Sequence, residues 1–199
     1  MKKVLPILAS VIIIGLIANC QFKSEPKPEA KQVDPAAYTM KGKELATATQ
    51  KVLGGNLKAA IESKGTEHAL EFCNVKAYPL TDSMAVALNA AISRVSDQPR
   101  NAANTANEDE LDYITHAKKV LAEGGEVTPK LAQLGDKVVG YYPIITNQLC
   151  MQCHGNPDSQ IKDATLAKIN QLYPADEATG YSEGELRGIW VVEMDIDGE

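Results

Sequence analysis

The chain has 199 residues, of which 44% are hydrophobic and 23% charged, as in an ordinary globular domain. Its formal net charge is −6 and its pI about 5.2. This negative surplus argues against binding to nucleic acid or to anionic lipid headgroups.

The first twenty residues have the pattern of an export signal. Lys2 and Lys3 precede an apolar run over 4–17 that is short for a membrane span. The run closes on Ile17-Ala18-Asn19-Cys20, which resembles a lipobox, although Asn19 departs from the usual small residue. We therefore expect a signal peptide over 1–19 and a lipid on Cys20 that tethers the protein to a membrane facing the periplasm. An uncleaved anchor helix is the alternative.

Residues 20–37 are rich in proline and charge and offer little to bury, which predicts a flexible tether. Residues 38–199 then form one domain with one hydrophobic core. Loss of the two lysines with the signal peptide takes the net charge of the mature chain from −6 to −8.

The first half of the domain is predicted to be helical. Apolar periodicity indicates a helix over 39–63 that ends at Gly65, and Thr66 is a plausible N-cap for a short second helix. Pro79 with the following 81–82 indicates a turn.

The remaining elements bring in strands. They are, in chain order, a strand over 90–95, a polar loop over 97–107, a helix over 108–121, a strand over 137–146, a helical turn over 149–154, a helix over 164–172 and a strand over 186–196. Helices dominate early and strands late, which predicts an α+β fold with an antiparallel sheet.

The most informative motif is Cys150-Met151-Gln152-Cys153-His154. C-x-x-C-H is the spacing at which haem is attached covalently, because two thiols three residues apart lie on one side of a helical turn. His154 then serves as the proximal iron ligand. Half of a zinc site or a redox-active cysteine pair are the alternatives, but a zinc thiolate is at risk of oxidation in an exported compartment. The motif occurs once, so one covalent haem c is expected.

Cys73 is the cysteine left over once Cys20 carries lipid and the motif carries haem. Two interpretations stay open for it: a small buried apolar side chain, or the iron ligand opposite His154. Competing distal ligands are His68, His116 or a methionine, and the sixth position could also be open.

Arg94 and Arg100 are candidate partners for the haem propionates, because a guanidinium matches a carboxylate bidentately. The alternative is a surface or structural role for both arginines.

Several short motifs occur in a characteristic order. They are Phe72-Cys73-Asn74, Arg94-Val95-Ser96, 100–104, Tyr142-Pro143-Ile144, the haem motif with Gly155, Tyr173-Pro174-Ala175-Asp176, 180–181 and 184–188. From about Leu45 to the C-terminus the chain thereby resembles the c-haem PAS-like family, found alone in the periplasm or lumen and as the sensor half of membrane histidine kinases. It departs at Ala102, where the family often has Pro, and at Glu185, where it often has Asp.

The resemblance implies a PAS-like antiparallel sheet flanked by helices, with long N-terminal helices and the haem in the PAS cavity. It also implies iron held by the proximal histidine and by a cysteine from the N-terminal part, which here matches Cys73. A thiolate stabilises ferric iron, so the potential should be low, and two filled axial positions disfavour an enzyme.

Two functions are then expected to compete. One is a sensor of redox state or of a diatomic gas, NO or CO, in which reduction protonates and releases Cys73. The other is a low-potential electron carrier that keeps both ligands, and a haem enzyme with an open iron site is a weaker third. We expect no signalling in cis, because no kinase segment is part of this sequence, and we expect an unidentified redox or signalling protein as the partner.

Overall fold

The computed structural model describes residues 33–196. The predictions for the signal peptide and for Cys20 concern residues outside this range. In the described part, no helix is both long and apolar enough to cross a membrane.

Five helices and four strands build the fold. The helices are α1 (Pro35–Lys64), α2 (Thr66–Ala87), α3 (Glu108–Ala122), α4 (Met151–His154) and α5 (Asp163–Leu172). The strands are β1 (Ala91–Val95), β2 (Lys130–Leu134), β3 (Lys137–Ile145) and β4 (Leu186–Asp195). Two short 3-10 helices lie at Ala102–Asn104 and Gln148–Cys150.

One glycine separates the two long N-terminal helices. Asp34 caps α1 by accepting a hydrogen bond from the Ala36 N–H at 2.9 Å. Gly65 ends it at φ 86° and ψ 178°, a conformation that favours glycine. Thr66 is the first residue of α2 and not its cap, so that prediction was wrong; its hydroxyl donates to Gln152 Oε1 at 2.8 Å.

The predicted turn at Pro79 was also wrong, because α2 runs through it. Proline lacks only one backbone N–H, and α2 packs against α1, β1 and α5, so tertiary packing outweighs the local preference. Thr81, predicted in the turn, donates its hydroxyl to the Ala77 carbonyl oxygen at 2.9 Å, as helical threonines do.

The sheet is antiparallel throughout, in the order β1-β4-β3-β2, which confirms the predicted α+β class. β4 lies at its centre, with Trp190 opposite Arg94 of β1 and Tyr142 of β3. The predicted strands over 90–95, 137–146 and 186–196 correspond to β1, β3 and β4. The edge strand β2 was not predicted, since it is only half-buried and carries no alternation.

Both faces of the sheet are covered by helices. α3 packs on one face, where Tyr113 and Ile114 meet Ile189 and Val191. α1 packs on the other, where the residues that alternate with these, such as Trp190, are buried.

Gly42 allows α1 to approach the sheet closely. A Cβ at this position would overlap the Tyr142 hydroxyl. A third cluster, of Leu70, Ile161 and Ile169, joins α2 to α5 and has Cys153 packed against it. The helical layer of α1 and α2 therefore lies over the same sheet face that the C-x-x-C-H turn approaches.

Candidate functional site

A cavity of about 360 Å³ lies between the helical layer and the sheet. α1 and α2 supply most of its apolar wall, and β1, the end of β3, β4, the C-x-x-C-H turn, the 99–104 loop and Tyr173 line the rest. Its larger aliphatic and phenyl side chains are Leu53, Leu57, Ile61, Leu70, Phe72, Leu80, Ile144, Ile145 and Leu149. Pockets of this size and polarity typically hold organic cofactors.

The cavity gathers the sulfur and imidazole groups predicted from the sequence. Cys150, Cys153 and His154 line it from the motif, and Cys73 lines it from α2. These three cysteines are all free thiols. The described residues contain no group of three or more His, Cys, Asp or Glu side chains placed to hold a metal ion.

Local hydrogen bonds fold the motif into the predicted helical turn. Asn147 caps the preceding 3-10 helix by accepting from the Leu149 N–H at 2.9 Å, and Cys150 ends that helix. α4 then carries Cys153 and His154. Gly155 must follow, because a Cβ there would lie 2.6 Å from both Gln160 Oε1 and the Met151 carbonyl oxygen.

His154 is held as a neutral imidazole with its proton on Nδ1. Nδ1 lies 2.7 Å from the Ala178 carbonyl oxygen, and a carbonyl only accepts, so Nδ1 must donate. Arg187 Nε, 3.3 Å from the same Nδ1, therefore faces an N–H and places a charge beside it without a hydrogen bond. Burial, then Arg100 and Arg187, hold the pKa of His154 well below its usual value. The Nε2 lone pair is left for a metal, as in most metal-bound histidines.

The two thiols nearest the core are protonated in the bare protein. Burial raises the pKa of Cys153 to about 11. Burial also raises the pKa of Cys73, and the charges of Arg94 and Arg100 partly offset this rise.

Arginines dominate the charge of the cavity. Arg94, Arg100 and Arg187 are all the arginines in the chain, and each lines the cavity. No Asp, Glu or Lys is among its described lining residues. In a chain of net charge −6, this concentration of guanidinium groups favours an anionic occupant.

Arg94 is partly buried and stacks its guanidinium 5.4 Å from the Trp190 ring centroid. Burial lowers the pKa of Arg94. In the described part of the chain it has neither a carboxylate nor a hydrogen-bond acceptor as partner. Trp190 is 3% exposed, and its Nε1–H is buried and lacks an acceptor among residues 33–196. The Arg94 guanidinium and the Trp190 Nε1–H are therefore two hydrogen-bond donors at this wall without an acceptor in the described structure.

Arg100 instead has protein acceptors for its Nε and Nη2 groups. Its Nε and Nη2 donate to the Asp176 carboxylate at 2.9 and 3.2 Å. Nη2 also donates to the Cys153 and Ala178 carbonyl oxygens at 2.6 and 3.2 Å. Arg100 therefore ties the motif to the 173–180 segment, and its contact with a propionate stays a prediction.

Comparison with known proteins fits this geometry. A family model described as Tll0287-like matches residues 23–194. The chain belongs to the Tll0287-like family. This result bears out the resemblance to c-haem PAS-like proteins. No curated protein matches the chain.

Among solved structures, the crystal structure of the cyanobacterial heme-protein Tll0287 superposes with a TM-score of 0.55 at 17% identity. The match covers 84% of this chain and 99% of that one, so the two share a fold.

The residues of this Tll0287-like protein suit the haem that the motif predicts. Two thiols and an imidazole line one apolar cavity, and a third thiol, that of Cys73, lines it from α2. Arg94 and the Trp190 Nε1–H are donors without acceptors, which is what a buried carboxylate requires.

The alternative distal ligands His68, His116 and the methionines are not among the described residues that line the cavity. Sequence reasoning missed Ala178 as a site residue, because its contribution is a backbone carbonyl oxygen from a segment distant in the chain.

Proposed function

We propose that this Tll0287-like protein is an exported c-type cytochrome with one haem in the cavity. Cys150 and Cys153 would form the two thioethers, and His154 would be the proximal iron ligand. The observation that carries the proposal is His154, whose Nδ1–H is fixed on the Ala178 carbonyl oxygen while its Nε2 is left unprotonated. The matching structure is itself that of a heme-protein.

We further propose that Cys73 binds the iron opposite His154. Beyond the motif, it is the one sulfur or imidazole side chain among the described lining residues. Arg94 and Arg100 lie close enough to favour its thiolate form, against the effect of burial. Arg94 would hold a propionate, because its guanidinium is buried without a carboxylate in the described structure.

The role that this ligand set supports best is a sensor of redox state or of NO or CO. The haem supplies reversible one-electron chemistry and an iron position for a diatomic ligand. Cys73 is the part of the site that can respond, since it belongs to α2 and not to the covalent motif. α2 packs against α1, β1 and α5, so a shift of Cys73 would reach all three elements. A signalling protein reached through a lipid-anchored Cys20 in the periplasm completes this proposal.

A low-potential electron carrier is the second candidate, and the position of most cavity-lining residues on helices and strands favours it. Such a carrier keeps Cys73 bound in both oxidation states and passes electrons to a redox partner. A haem enzyme has less support, because Cys73 would occupy the position that a substrate needs.

Expression in a host that exports proteins and matures c-type cytochromes tests the proposal. Intact-protein mass spectrometry should show one added haem, and paramagnetic resonance of the ferric protein should show a low-spin, thiolate-bound signal. Rapid CO binding after reduction supports the sensor, whereas inertness to CO with unchanged ligation supports the carrier.

The matched variants are Cys73→Ala and His68→Ala, on the same helix α2. Cys73→Ala should change the ferric spectrum and raise the potential, while His68→Ala should leave both unchanged. An unchanged Cys73→Ala spectrum refutes the thiolate ligand, and a wild-type protein without added mass refutes the haem.

A further inference from the structure

Arg187 lies beside the proposed iron ligand His154 and has no role in the function proposed above. It lies on β4, 33 residues beyond His154 in the chain, yet its Nε is 3.3 Å from His154 Nδ1. Nη1 donates to Ser96 Oγ at 2.9 Å and to the Gln98 carbonyl oxygen at 3.1 Å. These bonds fix the guanidinium beside the imidazole.

The charge of Arg187 has no carboxylate bound to it. Its described partners are a hydroxyl, a carbonyl oxygen and the face of Tyr181, whose ring centroid lies 5.4 Å from the guanidinium carbon. Asp176, the acid whose charge acts on Arg187, is already bound to Arg100 by two hydrogen bonds. The positive charge beside His154 is therefore largely uncompensated.

The Ala178 carbonyl oxygen is also a weaker hydrogen-bond acceptor for the histidine proton than an unshared carbonyl oxygen would be. The Ala178 carbonyl oxygen accepts from His154 Nδ1 and also from Arg100 Nη2 at 3.2 Å. An oxygen shared with a guanidinium has less electron density to offer the imidazole. A carboxylate at this place would push the imidazole toward imidazolate, and the arrangement here does the opposite.

We propose that Arg187 is a positioning residue that keeps His154 a weakly donating neutral imidazole and so raises the reduction potential of the haem. The inference rests on the haem proposed above. A less donating imidazole stabilises ferric iron less, and a nearby fixed positive charge favours the added electron. Arg187 thereby opposes the thiolate of Cys73, which lowers the potential.

Potentiometry of the haem-loaded protein tests this role. Arg187→Gln should lower the equilibrium constant for reduction about tenfold, equivalent to about 59 mV for a one-electron couple. Arg187→Lys keeps the charge and should stay within about threefold of the wild type. Lys119→Gln removes the same charge from an exposed position on α3, with 75% of its side chain exposed, and should change nothing.

Proton NMR of the His154 Nδ1–H supplies a readout that a purely structural role would not move. Its resonance should shift in Arg187→Gln and much less in Arg187→Lys. An Arg187→Gln potential equal to that of the wild type overturns the inference.

Should Arg187→Gln fail to take up haem, Arg187→Lys decides. A fall of about tenfold or more despite the retained charge overturns the inference, and a change within about threefold supports it. A wild-type protein without haem would instead refute the proposed function, so the two failures are distinguishable.

Discussion

The Arg100–Asp176 pair is the interaction whose loss should damage this protein most. Only 11% of the Arg100 side chain and 6% of the Asp176 side chain are exposed. Asp176→Ala would leave a buried guanidinium without its carboxylate, which costs about 3–5 kcal/mol. It would also free the Ala178 N–H, which donates to Asp176 Oδ1 at 3.0 Å.

Asp176→Asn separates the contribution of the carboxylate charge to stability from that of its hydrogen bonds, because it removes the charge and keeps one accepting oxygen. The amide oxygen can still accept from Ala178 and from Arg100 Nε, so we expect about half of the full loss. Denaturant unfolding of haem-loaded protein, followed by circular dichroism, measures both free energies. A loss of 3 kcal/mol corresponds to a fall in Tm of about 6–12 °C.

The control is the exposed pair Lys58–Glu62 on α1, whose side chains are 67% and 66% exposed. Glu62→Gln should cost less than about 0.5 kcal/mol, because water screens such a pair. If Asp176→Ala cost no more than this control, the argument that the pair fixes the haem turn would be refuted.

Three further predictions concern glycine and tyrosine. Gly42→Ala should destabilise by about 1–3 kcal/mol, since the new Cβ meets Tyr142, whereas Gly55→Ala on the same helix meets nothing within 4 Å and should stabilise by about 0.5–1 kcal/mol; denaturant unfolding compares the two. Gly155→Ala should lower the yield of covalent haem, measured by mass spectrometry, because its Cβ would lie 2.6 Å from a backbone oxygen. Burial raises the pKa of Tyr113 to about 12. The contribution of this shift to the free energy of unfolding is therefore complete below about pH 10 and is lost as the pH rises toward 12. Between about pH 9 and pH 11, Tyr113→Phe should therefore lose about 1.4 kcal/mol less stability than the wild type.

Most of the fold was predictable where local pattern and burial agree. β4 alternates Ile189 and Val191 against Trp190 and Val192, and each set meets a different helix layer. The acids that begin α3 likewise mark its start, where Asn107 and Glu110 form a capping box. The turn predicted at Pro79 was wrong because α2 is stabilised by packing on three neighbouring elements, which the sequence of α2 does not reveal.

The site, like the fold, has a part that the local sequence predicts and a part that depends on contacts between distant residues. The C-x-x-C-H turn was predictable because covalent attachment needs its thiols and imidazole close together in sequence. The partners of His154 come from 24 and 33 residues away, at Ala178 and Arg187, and only the fold brings them together. Residue spacing in the sequence does not predict that a loop carbonyl oxygen will accept a hydrogen bond from His154.

The choice between lysine and arginine nevertheless indicates which basic residues belong to the cavity. Lys and Arg number 20 together, yet only three are arginines, and all three line the cavity. Arginine suits this environment because its planar fork donates to several acceptors at once and its guanidinium is more weakly hydrated than a lysine ammonium. Arg100 holds a carboxylate and two carbonyl oxygens, whereas Arg94 stacks on Trp190 with its donors unused in the described structure. In a lysine-rich acidic chain, the rare arginines therefore mark where a fixed positive charge is needed inside the protein.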